Sequence, residues 1–244
     1  MFWMVVAVFA VAVVRAFVPN EGFDEVRTGE QPIEVAAGDD GVWVLNYADH
    51  SVSLIDPGTE EEVFETSVGE DVAPALTADD DGAWVILDGG RSVGRVDPDS
   101  EEVEDRIELS GSFDEGVRAQ DLAAGEGFLW VTAGEDGQLV RVDTATGEVD
   151  DPVDVDETVV QPQVVGDALW VYESDGLTEL DAATGEERRK VDTSDFRVHD
   201  FHATPDHLFV LADVDNFDQT GLLIRIDLAG DAAESGRVRI QDSA

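Results

Sequence analysis

Cysteine is absent from the 244 residues. That excludes disulfides, thiolate chemistry, cysteine-ligated zinc, iron–sulfur clusters and lipidation of an N-terminal cysteine. Basic side chains are nearly as scarce. Fourteen Lys and Arg face 57 Asp and Glu, Lys190 is the only lysine, and the formal charge is −43. Phosphate backbones are held by clustered Lys and Arg, so no nucleic acid is expected as a partner. No Gly-rich phosphate loop, zinc-binding helix motif or Ser-His-Asp order is present. Helical periodicity is missing everywhere except near the N-terminus.

What is present argues for a folded chain. Acidic disordered sequences lack aromatics and β-branched residues. This one has five Trp and a normal 43% of hydrophobic residues, placed in a regular pattern. The charge therefore belongs to a surface. Such a surface repels itself unless counter-ions are dense, which reads as an adaptation to high salt of the halophile kind.

Met1–Val14 is wholly apolar, and Arg15 interrupts a run that continues to Val18. A spanning helix needs about 20 residues, and a signal peptide an apolar core of about 7–15. Residues 1–20 are thus expected to form one hydrophobic helix, a signal-anchor or signal peptide, although Val14-Arg15-Ala16 is a poor cleavage site. This places the acidic domain outside the cytoplasm, secreted or tethered to the membrane through the N-terminal segment only.

Repeats settle the fold class. Trp43, Trp84, Trp130, Trp170 and Phe209 recur every 39–46 residues, each inside a short β-branched apolar run. Such runs, bounded by turn residues, read as buried strands. A tight-turn pair precedes each, for example Asp40-Gly41 and Asp81-Gly82. A second strand ends in aspartate at Asp56, Asp97, Asp143, Asp181 and Asp227, and the first three lie 13 residues after their Trp. With an inner strand before and an outer strand after, each copy makes a four-stranded antiparallel sheet. One such sheet cannot bury both faces, but radial stacking does. The expectation is an all-β protein, a β-propeller over 21–244. Five blades are visible, at about 33–68, 74–109, 119–155, 161–192 and 199–240. They are expected to close a five-bladed ring with Phe23–Val26 running near the fifth.

The pattern DG-x-W-V, then V-x-R-V-D-P, then E-V resembles the YVTN-type and streptogramin-lyase-like propellers of the quinoprotein-like superfamily. It is clearest over Asp40–Val68, Asp81–Leu109 and Gly125–Val155. The resemblance implies the fold and leaves function open, because such propellers include surface proteins, binding scaffolds and a few enzymes. Streptogramin lyases use a metal with His and Glu on the last blades. Here the last blade carries His199, His202 and His207 but no Glu before Glu234. Leu180-Asp-Ala-Ala-Thr-Gly185 is similar to quinoprotein dehydrogenases, whose quinone-binding residues find no counterpart here. The favoured reading is a non-catalytic binding or interaction module for a protein or a small polar ligand. The alternative is a metal-dependent lyase or quinoprotein-like oxidoreductase with its site on the top face.

Loops on a rigid scaffold are where function resides. The loops between second and third strands share one face with the blade-to-blade connections. Two features stand out there. Arg118–Asp121 and Arg197–Asp200 repeat an R-x-x-D pattern, and counting in register puts Glu34, Asp121, Gln163 and Asp200 at one level near the central channel. These six residues are the ligand-binding candidates, and ion pairing between blades is the structural alternative. Asp213, Asp215 and Asp218 in the longest such loop make a possible calcium site through oxygen ligands. No other cofactor is expected. His199 and His202, at i and i+3 of a strand, point to opposite faces unless a bulge intervenes.

Overall fold

The computed structural model describes residues 26–109, 111–113, 117–133, 137–155, 160–173, 176–214, 221–228 and 235–239. Five four-stranded antiparallel sheets follow one another along the chain. Blade 1 contains β1 (Pro32–Gly38), β2 (Gly41–Asn46), β3 (Ser51–Asp56) and β4 (Glu61–Ser67). Blade 2 contains β5 (Leu76–Asp79), β6 (Gly82–Leu87), β7 (Ser92–Asp97) and β8 (Glu102–Glu108). Blade 3 contains β9 (Ala119–Gly125), β10 (Phe128–Ala133), β11 (Gln138–Asp143) and β12 (Val153–Asp154). Blade 4 contains β13 (Val160–Val165), β14 (Ala168–Glu173), β15 (Gly176–Asp181) and β16 (Glu187–Asp192). Blade 5 contains β17 (Phe196–Ala203), β18 (His207–Val214), β19 (Gly221–Asp227) and β20 (Ser235–Arg239). The protein is a β-propeller. Among the described residues there is no helix. The apolar segment expected as a signal or anchor lies outside them.

The tryptophans hold neighbouring blades together. Each sits on the second strand of its blade and is at most 1% exposed. Trp43 packs with Ala83, Val85 and Leu87 of blade 2, and Trp84 with Leu129 and Val131 of blade 3. Trp130 meets Leu169 and Val171 of blade 4, and Trp170 meets Leu208 and Val210 of blade 5. A large aromatic fully buried in this way contributes several kcal/mol, about 3–5 when truncated to Ala. Phe209, the fifth anchor, is only half-buried. Among the described residues no buried cluster joins blade 5 to blade 1, and β17 does not pack on β1 as the other neighbouring inner strands pack on one another. The expected closure of the ring is therefore not seen in the packing, and Phe23–Glu25 lie outside the described residues.

The turns explain the punctuation of the sequence. Gly41 and Gly82 open the β1–β2 and β5–β6 hairpins at φ 145° and 142°. A Cβ there would lie 2.4 Å from the Ile55 carbonyl oxygen or 2.3 Å from that of Val96, so only Gly fits. The repeated aspartate closes the opposite turn. Oδ1 of Asp143 accepts from the backbone N–H of Ala145 at 3.1 Å and Thr146 at 2.8 Å. Asp56, Asp97 and Asp181 do the same for their own loops. This is the Asx-turn chemistry that favours Asp at such positions.

An ion pair between the third strand and the outer strand, or in blade 3 the segment leading into it, recurs with its charges exchanged. Arg95 bonds Asp105 at 2.6 Å and Arg141 bonds Asp150 at 2.5 Å. In blade 4 the acid, Glu179, is on the third strand and Arg188 and Arg189 are on the outer one.

Candidate functional site

The five inner strands β1, β5, β9, β13 and β17 surround an axial cavity of about 560 Å³. Pairing with the second strands fixes the height of each lining residue. Ala36, Thr77, Ala123, Gln163 and His202 stand opposite the anchors Trp43, Trp84, Trp130, Trp170 and Phe209. Two residues nearer the top face, Glu34, Asp121 and Asp200 stand opposite Leu45, Thr132 and Leu211. Three carboxylates from blades 1, 3 and 5 thus share one level of the cavity wall.

A bulge precedes each of them. The register shifts between Pro32 and Glu34 on β1, between Ala119 and Asp121 on β9, and between Val198 and Asp200 on β17. A bulge adds one unpaired residue and re-aims the side chains beyond it, which is why bulges gather at functional sites. Blade 4 is irregular at the same height, between Val160 and Gln163. There Gln161 adopts φ 58° and donates its N–H to Asp121 Oδ2 at 3.0 Å, tying blade 4 to blade 3.

The electrostatics follow from this enclosure. Burial pushes the Glu34 carboxyl up to about 7, and the negative charges of Asp121 and Asp200 add to the rise. Burial pushes Asp121 up to about 6, against the N–H donors of Leu122 and Gln161 that favour its ionised form. Asp200 is raised by burial too, opposed by the Phe201 N–H and by His202. Desolvation disfavours charge, and like charges across the channel disfavour it further.

Residues 65–194 match the family described as a repeat of unknown function, DUF6923. The chain belongs to this family. No curated protein matches the DUF6923 chain in sequence. Its fold is similar to hydrazine synthase of Kuenenia stuttgartiensis, with TM-score 0.67 and 16% identity over 92% of this chain and 70% of that one. It is similar to the Pan2 WD40 domain of Neurospora crassa, with TM-score 0.64 and 13% identity over 86% and 66%. The dihydro-heme d1 dehydrogenase NirN gives TM-score 0.62 and 13% identity over 88% and 49%. At such identities the likeness concerns the fold alone.

In this DUF6923 protein the candidates divide. Glu34, Asp121, Gln163 and Asp200 all line the cavity. Gln163, however, sits one level lower: it precedes its anchor Trp170 by seven residues, as Ala36, Thr77, Ala123 and His202 precede theirs, whereas Glu34, Asp121 and Asp200 precede theirs by nine. It bridges blades 4 and 5 instead: its Nε2 donates to the Phe201 carbonyl at 2.7 Å and its Oε1 accepts from the Ala203 N–H at 2.9 Å. Arg118 and Arg197 are exposed and do not line the cavity. Arg118 donates to the Val117 carbonyl at 2.7 Å. Among the described residues neither arginine forms an ion pair with the aspartate three positions on. The three channel carboxylates therefore keep their charge uncompensated by these arginines.

The two histidines also separate. His199, in the bulge, bonds Asp213 Oδ2 at 2.6 Å, whereas His202 lines the cavity. Asp215 and Asp218 lie outside the described residues. Among those described, no group of three His, Asp or Glu is close enough to hold a metal. Sequence reasoning missed Gln161, Thr77 and His202 as lining residues. Pro162 is the signal for the first, since Pro inside a strand pattern marks an edge or a bulge.

Proposed function

We propose that this protein is a non-catalytic, extracytoplasmic binding module, and that its axial channel takes a small cationic ligand such as a protonated amine. The observation that carries the reading is the ring of Glu34, Asp121 and Asp200 at one level of a 560 Å³ cavity. Partly desolvated carboxylates, with no arginine among the described residues that line the cavity, gain most from a ligand that brings its own positive charge and N–H donors. The next level of the channel, with Thr77, Gln163 and His202, adds hydrogen-bonding side chains, which suits orientation of a polar ligand. The apolar N-terminal run supports delivery outside the cytoplasm, and the −43 charge supports a salt-rich setting.

Uptake of a cation releases a proton where the channel carboxyls are half-protonated. Affinity should therefore rise from pH 5.5 to pH 8, since Glu34 and Asp121 titrate near 7 and 6. Isothermal titration of the full chain with putrescine, in molar salt, measures this, with glycerol as the neutral comparison. Glu34→Gln with Asp121→Asn should abolish putrescine binding. Binding that is unchanged in that variant, or that is the same at both pH values, overturns the reading.

A further inference from the structure

A second group of oxygen ligands lies away from the channel, at the outer top corner of blade 1. The chain enters β1 across the β2–β3 loop, held by Tyr47 N–H to the Gln31 carbonyl at 3.0 Å and Ala48 N–H to that of Glu30 at 3.3 Å. This brings Gly29 against three side chains. A Cβ on Gly29 would lie 2.7 Å from Asp49 Oδ2, 2.7 Å from Glu65 Oε1 and 2.8 Å from Asn46 Cγ. The two carboxylate oxygens are thus no more than about 5.4 Å apart, with the Asn46 amide beside them. Ser51 joins them by donating its hydroxyl to Glu65, and the Glu30 N–H donates to Asp49.

The donors and acceptors do not balance. Asn46 is wholly buried, and its Nδ2 is used on Ser53 Oγ at 2.9 Å and Ser51 Oγ at 3.3 Å. Its Oδ1 is buried with no hydrogen-bond partner. An amide oxygen in that state is uncommon and calls for an occupant. The neighbouring oxygens of Asp49 and Glu65 cannot donate to it when ionised. No Lys or Arg occurs anywhere in residues 28–90, and among the described residues neither carboxylate forms an ion pair. Two carboxylates, an unpaired amide oxygen and a hydroxyl are the ligand set of a hard divalent cation, completed by water.

We propose that blade 1 carries a calcium-type cation site formed by Asn46, Asp49, Ser51 and Glu65. The ion clamps the segment at Gly29–Gln31 to the loop and outer strand of blade 1. It is a different place from the acidic loop beyond Asp213, and it shares no residue with the channel, so the two readings stand or fall separately. With two carboxylates and an exposed rim, the affinity belongs in the range of extracellular modules, about 10⁻⁴–10⁻³ M.

Calorimetric titration of CaCl₂ into the chelator-treated full chain in molar KCl tests this. The high salt suppresses diffuse binding to the acidic surface. One site is expected. Asp49→Asn and Glu65→Gln should each weaken it about tenfold or more, and Asn46→Asp, which adds a third carboxylate at the orphaned position, should tighten it. Asp99→Asn, on an exposed turn of blade 2, is the control and should leave it unchanged. Because Asp49 and Glu65 are exposed, their variants should fold, and circular dichroism verifies that. No saturable calcium binding, or equal binding in Asp49→Asn, Glu65→Gln and Asp99→Asn, overturns the proposal.

Discussion

The two ends of blade 3 place the same side chain in opposite situations. Asp121, near the top, is enclosed by the channel, and burial pushes its carboxyl up to about 6. Asp143, in the turn at the bottom, is held below the usual carboxylate range, chiefly by the backbone and hydroxyl donors of Thr146. Both accept backbone N–H bonds, so hydrogen bonding alone does not separate them. Desolvation does: water reaches Asp143, while Asp121 is buried at the cavity wall with Glu34 nearby. The same contrast holds for Glu34 and Asp200 against Asp56, Asp97 and Asp181. The bottom aspartates serve the fold. The top carboxylates work against it at neutral pH, and carboxyls perturbed in this way gather at functional sites.

Trp130 fastens the two ends of blade 3 to its neighbour. It pairs in register with Ala123 and Arg141, and its indole N–H donates to the Ala182 carbonyl of blade 4 at 2.9 Å. Trp130→Ala should give the largest loss, about 3–5 kcal/mol in urea unfolding. A loss under about 1 kcal/mol would show that the blades are not fastened by their anchors.

The asymmetry should next appear as opposite pH dependences. Glu34 has a raised pKa in the fold, so between its ordinary 4.5 and about 7 the native state holds a proton that the unfolded chain has released. Stability then falls as pH rises through that window. Glu34→Gln removes this penalty. The variant should be more stable than the parent at pH 8 by about 1 kcal/mol, allowing for water that reaches the channel, and equal to it near pH 4. Melting curves across pH 4–8 check this. A variant less stable at pH 8 would mean that the carboxylate is already paired with a cation.

The smallest effect belongs to the bottom. Asp143 has a lowered pKa, so its contribution is complete above its ordinary 3.8 and disappears as pH falls through its lowered value. Asp143→Ala should lower the melting temperature at pH 7 by about 2–4 °C. The gap should close only below about pH 3.8, where the parent loses the same interaction. A gap that closed between pH 7 and 5 would place the two aspartates in the same class.

The repeat itself was legible residue by residue. Trp43, Trp84, Trp130 and Trp170 marked the second strands because only a large buried aromatic recurs at that spacing. Asp56, Asp97, Asp143 and Asp181 marked the turns because a short carboxylate caps its own loop. Gly41 and Gly82 marked the hairpins because no side chain fits there. All of these are local demands of backbone and burial, so they leave a local trace. The level shared by Glu34, Asp121 and Asp200 was legible for the same reason, by counting back from the anchor.

Only the tertiary structure decided the rest. The bulges before the three carboxylates fall at Ile33, Gln120 and His199, residues with no bulge signal of their own, and strand pairing across the blade alone creates them. The irregularity of β13 between Val160 and Gln163 turns the Gln161 N–H onto Asp121 of blade 3, a contact between blades that no spacing announces. Phe209 is half-buried, and among the described residues no buried cluster joins blade 5 to blade 1. Asn46, Asp49 and Glu65 meet at Gly29 only because the chain crosses the top of blade 1 on its way into β1. The sequence by itself determined what each repeat must be, since strands, turns and anchors answer to neighbours a few residues away. Where the repeats turn their polar groups was decided by contacts between blades, over distances that no local pattern records.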